Sequence, residues 1–376
     1  MMGKESDRYK QLLQVLPEGW KEKAKELGAL QRPREIKTPE ELLRMILIYL
    51  TEGKSMAGTS AITNLSDQMT MSKVAVFKRI QKSGDWLQWM CQNIYRRAGL
   101  LIEKPQWLKM RNVLLIDGSK EVKGGEDKQQ YLLHYSMNLF TLECCECLIT
   151  DGKRIGEKLT NFKDMEKGDI VIADRMYGTP PGIAHVRKHG ADYILRLKAG
   201  AFSIYDEKGE KIEPWQQFSD LMAWNYGEFT GWSDIGGEKV PVRVCAVRKD
   251  TFNEWKGMRR LEKEKGCKDG GKAVSALQKE YNKYVMVVTS LGKEQASAEQ
   301  ILHLYRARWQ IELAFKRLKS IFGYNQMPAR KSENIKTWLY GKLLLAALCE
   351  TLVNTGRFPP CAARKPRSTG AGACQF

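Results

Sequence analysis

Two short apolar runs that each end in an aspartate constrain this chain more than any other feature. Val113-Leu-Leu-Ile116 leads into Asp117-Gly118-Ser119, and Asp169-Ile-Val-Ile-Ala173 leads into Asp174-Arg175. Continuous apolar runs of this length, bounded by turn formers, predict buried strands. Residues 131–139, 145–149 and 191–198 are further strand candidates, while 156–167 and 180–189 read as helices. Three adjacent strands followed by alternating helix and strand give an α/β fold, a mixed sheet flanked by helices. Ligands of such sheets bind beyond the strand ends, where Asp117 and Asp174 are expected. A lone aspartate after a strand more commonly forms a turn, so the pair gains weight only with a third acid.

That acid lies in Tyr305-Arg-Ala-Arg-Trp-Gln-Ile-Glu-Leu-Ala-Phe-Lys-Arg-Leu-Lys319. No Gly or Pro interrupts the stretch, and Leu304, Ile311, Phe315 and Leu318 recur at helical spacing, so a single helix is predicted. Ser297 with Gln300 three residues on forms a capping-box pair at its start. At about 100° per residue, Tyr305, Arg308, Glu312 and Lys319 share one face. A charged strip beside an apolar stripe is commonly a solvated face; here it sets one carboxylate among a phenol, a guanidinium and an ammonium.

Composition selects the partner. The chain carries 62 Lys+Arg against 44 Asp+Glu, a formal charge of +18, which calls for a polyanion, nucleic acid ahead of an anionic membrane surface. The N-terminus is polar, and the most apolar run, 338–353, is broken by Lys342 and Glu350, so no membrane association and a cytoplasmic location are expected. The nine cysteines are scattered, as in a reducing compartment. Neither the Cys144, Cys145 and Cys147 cluster nor the His185 and His189 pair has the further ligands of a zinc site.

Residues 1–105 read as an all-helical DNA-binding domain. Thr38-Pro-Glu-Glu41 opens a helix, a Gly/Ser-rich break covers 53–60, and 66–82 has a helix-turn-helix look. Ser72 would cap a helix bearing Lys73, Lys78 and Arg79, suited to a DNA groove and its phosphates; an ordinary basic surface helix is the plainer alternative. The catalytic core would occupy 106–199 and 284–356, split by a β-rich basic insertion at 200–283. The tail, 357–376, lacks periodicity and is expected to be disordered.

Three acids among basic residues suit phosphoryl transfer, which two Mg²⁺ ions about 3.5–4 Å apart assist by neutralising charge at both oxygens of an in-line displacement. The order Y-x2-R-x3-E-x6-K, with an aspartate after each upstream strand, resembles the DDE transposases of the insertion-sequence-four family across roughly residues 10–355. The resemblance implies a ribonuclease H-like core with a β-rich insertion. It implies that Asp117, Asp174 and Glu312 hold two Mg²⁺ ions, Mn²⁺ substituting, and that Tyr305, Arg308 and Lys319 grip the DNA backbone near the cut. Arg196 and Lys198 match a DNA-contacting basic pair, and Tyr284 stands where related enzymes carry an aromatic that stacks on a flipped base. The implied partners are transposon terminal inverted repeats, target DNA and a second copy of the chain in a synaptic complex at the bacterial nucleoid. After Asn354 the family's further helical, partner-contacting segment is not matched. The implied activity is cut-and-paste transposition. An endonuclease of the same fold without strand transfer and a non-catalytic DNA-binding regulator are the alternatives.

Overall fold

Thr38 starts a helix as its sequence predicts. A computed structural model describes residues 9–10, 12–51, 55–67, 70–94, 104–122, 130–201, 203–268, 273–327 and 332–354. After α1 (Trp20–Glu26) comes α2 (Pro39–Thr51), where Thr38 Oγ1 accepts the Glu41 N–H and Glu41 Oε2 accepts the Thr38 N–H, each at 3.2 Å. The two reciprocal bonds satisfy donors that the first turn leaves unpaired. The Gly/Ser-rich segment is less of a break than its composition predicts, because α3 (Met56–Asp67) already includes Gly58 and Ser60. α4 (Lys73–Lys82) begins at Ser72, whose hydroxyl accepts the Ala75 N–H, and α5 (Gly84–Ile94) follows.

In residues 100–321, β1 (Val113–Val122) outlasts its apolar run. It pairs antiparallel with β2 (Gln130–Asn138), which pairs with β3 (Cys144–Asp151). On its other side β4 (Ile170–Ala173) runs parallel to β1, but only from Val113↔Ile170 to Ile116↔Ala173. Asp117 is therefore inside a strand rather than just past one, paired with Tyr135 of β2 alone. The strand continues because β2 still supplies hydrogen bonds after β4 has stopped.

The 156–167 segment is not the helix its charges and spacing suggest. It is irregular, with one 3₁₀ turn at Leu159–Asn161, and buries Leu159, Phe162 and Met165 at three-residue intervals that imitate a helical stripe. α6 (Pro180–Lys188), capped by Thr179, leads to β5 (Asp192–Arg196), parallel to β4. The insertion adds β6 (Ile204–Tyr205), β7 (Lys211–Ile212), β8 (Tyr226–Ile235) and β9 (Glu238–Arg248), then α7 (Thr251–Lys268) and α8 (Ala276–Asn282). β10 (Tyr284–Thr289) enters between β5 and β9, antiparallel to both. One sheet results, ordered β3-β2-β1-β4-β5-β10-β9-β8-β6-β7. Its first five strands are the meander and parallel pair expected of the core, so the mixed sheet flanked by helices stands as predicted.

The predicted single helix around Glu312 is two, α9 (Ala298–Arg306) and α10 (Trp309–Ser320). No Gly or Pro breaks it. Instead Ala307, Arg308, Gln310 and Ile311 each donate to the carbonyl three residues back, a tighter 3₁₀-type turn that separates the two helices.

The last helix, α11 (Ser332–Asn354), groups with the N-terminal helices rather than with the second part of the catalytic core. The compact units are residues 1–99 with 322–376, and 100–321. An apolar surface on all sides requires burial all round, and α5, α4 and α2 provide it. Thr337 Oγ1 donates to the Ile80 carbonyl (2.9 Å), and the buried Lys342 ammonium donates to the Leu50 carbonyl (2.6 Å) near the C-terminus of α2, where helix carbonyls lack partners. Among the described residues no helix is long and apolar enough to cross a membrane. The expected disorder at 357–376 lies outside the described residues.

Candidate active site

The register of β1 and β4 places the first two acids. Ile116 pairs with Ala173 in parallel, so Asp117 and Asp174 are the next residues at one level of the sheet. The chain turns after Ala173, with Asp174 Oδ1 accepting the Met176 N–H at 2.6 Å. Asp117 Oδ1 accepts the Gly118 N–H at 2.8 Å. Burial pushes the Asp117 carboxyl up to about 6, Asp174 and Glu157 adding to the rise while the Gly118 N–H and Arg308 oppose it.

Glu312 lies in the first turn of α10, where unpaired backbone N–H groups favour a negative charge. Arg308 joins it to the sheet. From the turn between the helices its guanidinium binds the Glu312 carboxylate and reaches Asp117 Oδ2 at 3.4 Å. The break between α9 and α10 thus aims Arg308 back at two of the acids. Among the described residues no three acids, histidines or cysteines are arranged to hold a metal ion as they stand. The donors nonetheless suit a hard divalent cation, since all are carboxylate oxygens of the kind Mg²⁺ and Mn²⁺ prefer.

The other predicted residues divide. Tyr305 is buried at the end of α9, close enough to Arg196, Arg308 and Asp174 for their charges to act on its phenol. Arg196, half-buried, ends β5 and belongs to the same neighbourhood, and Lys198 is exposed just beyond it. Lys319 binds the buried Glu121 of β1 at 2.7 Å. Lys73 and Lys78 are exposed on α4, but Arg79 is half-buried and donates to the Arg32 carbonyl at 2.6 Å, a structural bond. Tyr284 corrects an expectation. Its ring is buried and its hydroxyl donates to the Phe218 carbonyl at 3.0 Å, so it does not face a DNA base. His185 and His189 also have plain roles, their ring nitrogens lying 2.7 and 2.9 Å from the Phe162 and His185 carbonyls.

Sequence reasoning missed one neighbour of the acids, Glu157, and a buried lysine near Arg196, Lys249. Glu157 was hidden in a supposed surface helix, and burial and Asp174 raise its carboxyl above the ordinary range. Lys249 gave no signal at all. Its burial brings the ammonium down to about 8, with Arg196 and Arg175 contributing and Glu254 opposing.

Comparison with known proteins agrees with this geometry. A family model described as a transposase DDE domain matches residues 113–348. The chain is 31% identical over 352 residues to the putative transposase InsL for insertion sequence element IS186A of Escherichia coli, covering 92% of this chain and 93% of that one. It is 31% identical over 353 residues to the transposase for insertion sequence element IS421 of Escherichia coli, with the same coverage. The transposase for insertion sequence element IS231F of Bacillus thuringiensis subsp. israelensis matches at 39% over 203 residues, half of this chain and 42% of that one. With an aspartate inside β1, another directly after β4 and a helical glutamate tied by Arg308 to the first, the chain belongs to the DDE transposase family and is a metal-dependent DNA transposase.

Proposed function

We propose that this chain cuts DNA at the ends of its own insertion element and joins the freed 3′-hydroxyl to target DNA, using two Mg²⁺ ions held by Asp117, Asp174 and Glu312. The observation that carries this reading is that Asp117 and Asp174 each directly follow the last paired residues of the parallel strands β1 and β4, with Arg308 linking Asp117 to Glu312. When bound, the cations neutralise charge on the attacked phosphate and activate the nucleophile. The three carboxylates fix where the scissile phosphate lies. Arg308 can turn its fork from two carboxylates to a phosphate, which presents the same bidentate geometry. Tyr305, Arg196, Lys198 and Lys319 would flank the DNA around the cut. Water and a DNA 3′-hydroxyl are interchangeable nucleophiles at such a site, so one centre serves both cleavage and joining. Two copies of the chain would hold the two ends.

The test is incubation of full-length protein and Mg²⁺ or Mn²⁺ with a supercoiled plasmid bearing the element's ends. Nicks at the ends together with strand-transfer products are expected. Nicks without joined products would make the protein a nuclease, and neither product a DNA-binding regulator.

End recognition is assigned to the α3–α4 pair, whose exposed Lys73 and Lys78 point to phosphate contacts. Lys78→Ala in the full-length protein is expected to weaken binding to all DNA sequences alike and to lower the log–log salt slope by about 1. An unchanged slope, measured by fluorescence anisotropy across salt concentrations, would remove this lysine from the interface. An isolated 1–100 fragment is the wrong reagent, because it lacks α11 and bares the apolar surface that α11 covers.

A further inference from the structure

Side chains two apart on a strand share a face of the sheet, so Asp117, Ser119 and Glu121 form one row along β1. The α10 region meets both ends of that row. Just before the helix Arg308 reaches Asp117 Oδ2 at 3.4 Å, and near its end Lys319 Nζ lies 2.7 Å from Glu121 Oε1. Between these two contacts Ser119 Oγ donates to the same Glu121 oxygen at 2.9 Å. Midway along α10 the Phe315 ring packs on Tyr135 of β2, the residue paired with Asp117, with ring centroids 5.6 Å apart.

Glu121 is 7% exposed, and a carboxylate so placed is costly unless it is paired. Holding α10 to β1 does not require it. A buried ion pair is weak evidence for stability, and well-packed apolar residues often serve as well. What the acid supplies is direction. Lysine carries a point charge on a flexible four-carbon stem, and a fixed acceptor restricts where that charge lies. The carboxylate is itself held by Ser119, whose hydroxyl is buried beside it. An ammonium has three N–H donors. Glu121 takes one, and 38% of the Lys319 side chain stays exposed, so the other donors can meet a phosphate.

We propose that Glu121 is a positioning residue for DNA cleavage, holding the Lys319 ammonium, with Ser119 behind it, where that ammonium meets a phosphate of the DNA end. The proposal rests on the reading above that Lys319 flanks the cut. Glu121 acts only through Lys319 and does not touch DNA. Its charge repels phosphates, so it contributes nothing to affinity by itself; its contribution is geometric. Loss of Glu121 should therefore slow cleavage of bound DNA without weakening binding.

The test is cleavage of end DNA by the full-length protein in Mg²⁺ at saturating DNA, with affinity measured separately by fluorescence anisotropy. Glu121→Leu, which fills the volume without an acceptor, should slow cleavage about tenfold or more and leave the Kd unchanged or lower, with melting confirming the fold. Glu121→Gln, whose amide oxygen can accept both bonds, should restore most of the rate. Glu121→Asp keeps the charge but draws the ammonium back, so it too should be slow, and it serves if the leucine variant does not fold. Lys319→Met should be slow, and adding Glu121→Leu to it should slow cleavage no further. A Glu121→Leu protein as fast as wild type, or a further loss in the double variant, would overturn the positioning role while leaving Lys319 at the DNA. A Lys319→Met protein as fast as wild type would overturn the reading of Lys319 and this proposal with it, as would a wild type that cuts no end DNA.

Discussion

Asp117→Asn is expected to abolish strand cleavage and, in metal-free protein at neutral pH, to stabilise the fold. The first effect follows from losing an anionic ligand while the phosphate-binding Arg and Lys residues remain, so DNA-end binding should stay near wild type. The second follows from the carboxyl being held up to about 6 by burial. Between its ordinary value, near 3.8, and about 6 the folded state holds more protons at this site than the unfolded state. Stability therefore falls as pH rises through that window. At pH 7 the deficit is roughly 3 kcal/mol, taking about 1.4 kcal/mol for each unit. An amide has no charge to bury and can still accept from Arg308. Urea denaturation in chelator at pH 4 and pH 7 should show variant and wild type drawing apart as pH rises. Full cleavage by the variant in Mg²⁺ would remove Asp117 from the ligand set. Asp174→Asn and Glu312→Gln should lose cleavage equally.

Arg243→Ala should have the largest effect on stability, about 3–5 kcal/mol. Arg243 lies on β9, is 4% exposed, and binds Glu228 of β8 through Nε (3.0 Å) and a second nitrogen. Its remaining nitrogen donates to the carbonyls of Leu291 (3.0 Å), Gly292 (3.0 Å) and Ala296 (2.8 Å). Burial raises the Glu228 carboxyl, but the bonds from Arg243 and Lys293 outweigh it and hold the group below the usual range. One guanidinium thus ties two strands to the loop that launches α9, and through α9 to Tyr305, Arg308 and Glu312. Truncation leaves three carbonyls without this donor and the Glu228 carboxylate with Lys293 alone. Lys293→Ala is the control, since Lys293 binds the same Glu228 at 3.0 Å from an exposed position and should cost under about 1 kcal/mol. Equal losses in the two variants, measured by denaturant unfolding, would contradict this account.

The sheet and the three acids were legible because each rests on local pattern. Val113–Ile116 and Ile170–Ala173 are apolar whatever surrounds them, and their aspartates follow immediately. Glu312 was marked by its spacing from Tyr305, Arg308 and Lys319. What was hidden depends on pairing. Nothing local says that β2 carries β1 beyond Asp117, or that an uninterrupted helical pattern breaks at Ala307 to aim Arg308 at the sheet. Leu159, Phe162 and Met165 read as a helix because their spacing of three also fits an irregular loop folded over a core. Glu157 was lost with them. The resemblance gave Tyr284 a stacking role, but its hydroxyl bonds the carbonyl of Phe218, 66 residues away, a contact no local pattern announces. The partners of the apolar run at 338–353 were not legible either, because apolar residues all round specify burial and not by which neighbours.

The way the insertion joins the sheet bears on how this protein can be edited. β10 is the last strand of the core in the chain, yet it lies between β5 and β9 and bonds to both. Deleting 200–283 would strip β10 of one flank and leave its edge open to pairing with other chains. The insertion is therefore not a detachable accessory. A shortened variant, natural or designed, would have to keep β9 with its Arg243 or blunt the exposed edge with charge, and trimming is safer at the β6–β7 end, where the pairing is short and peripheral.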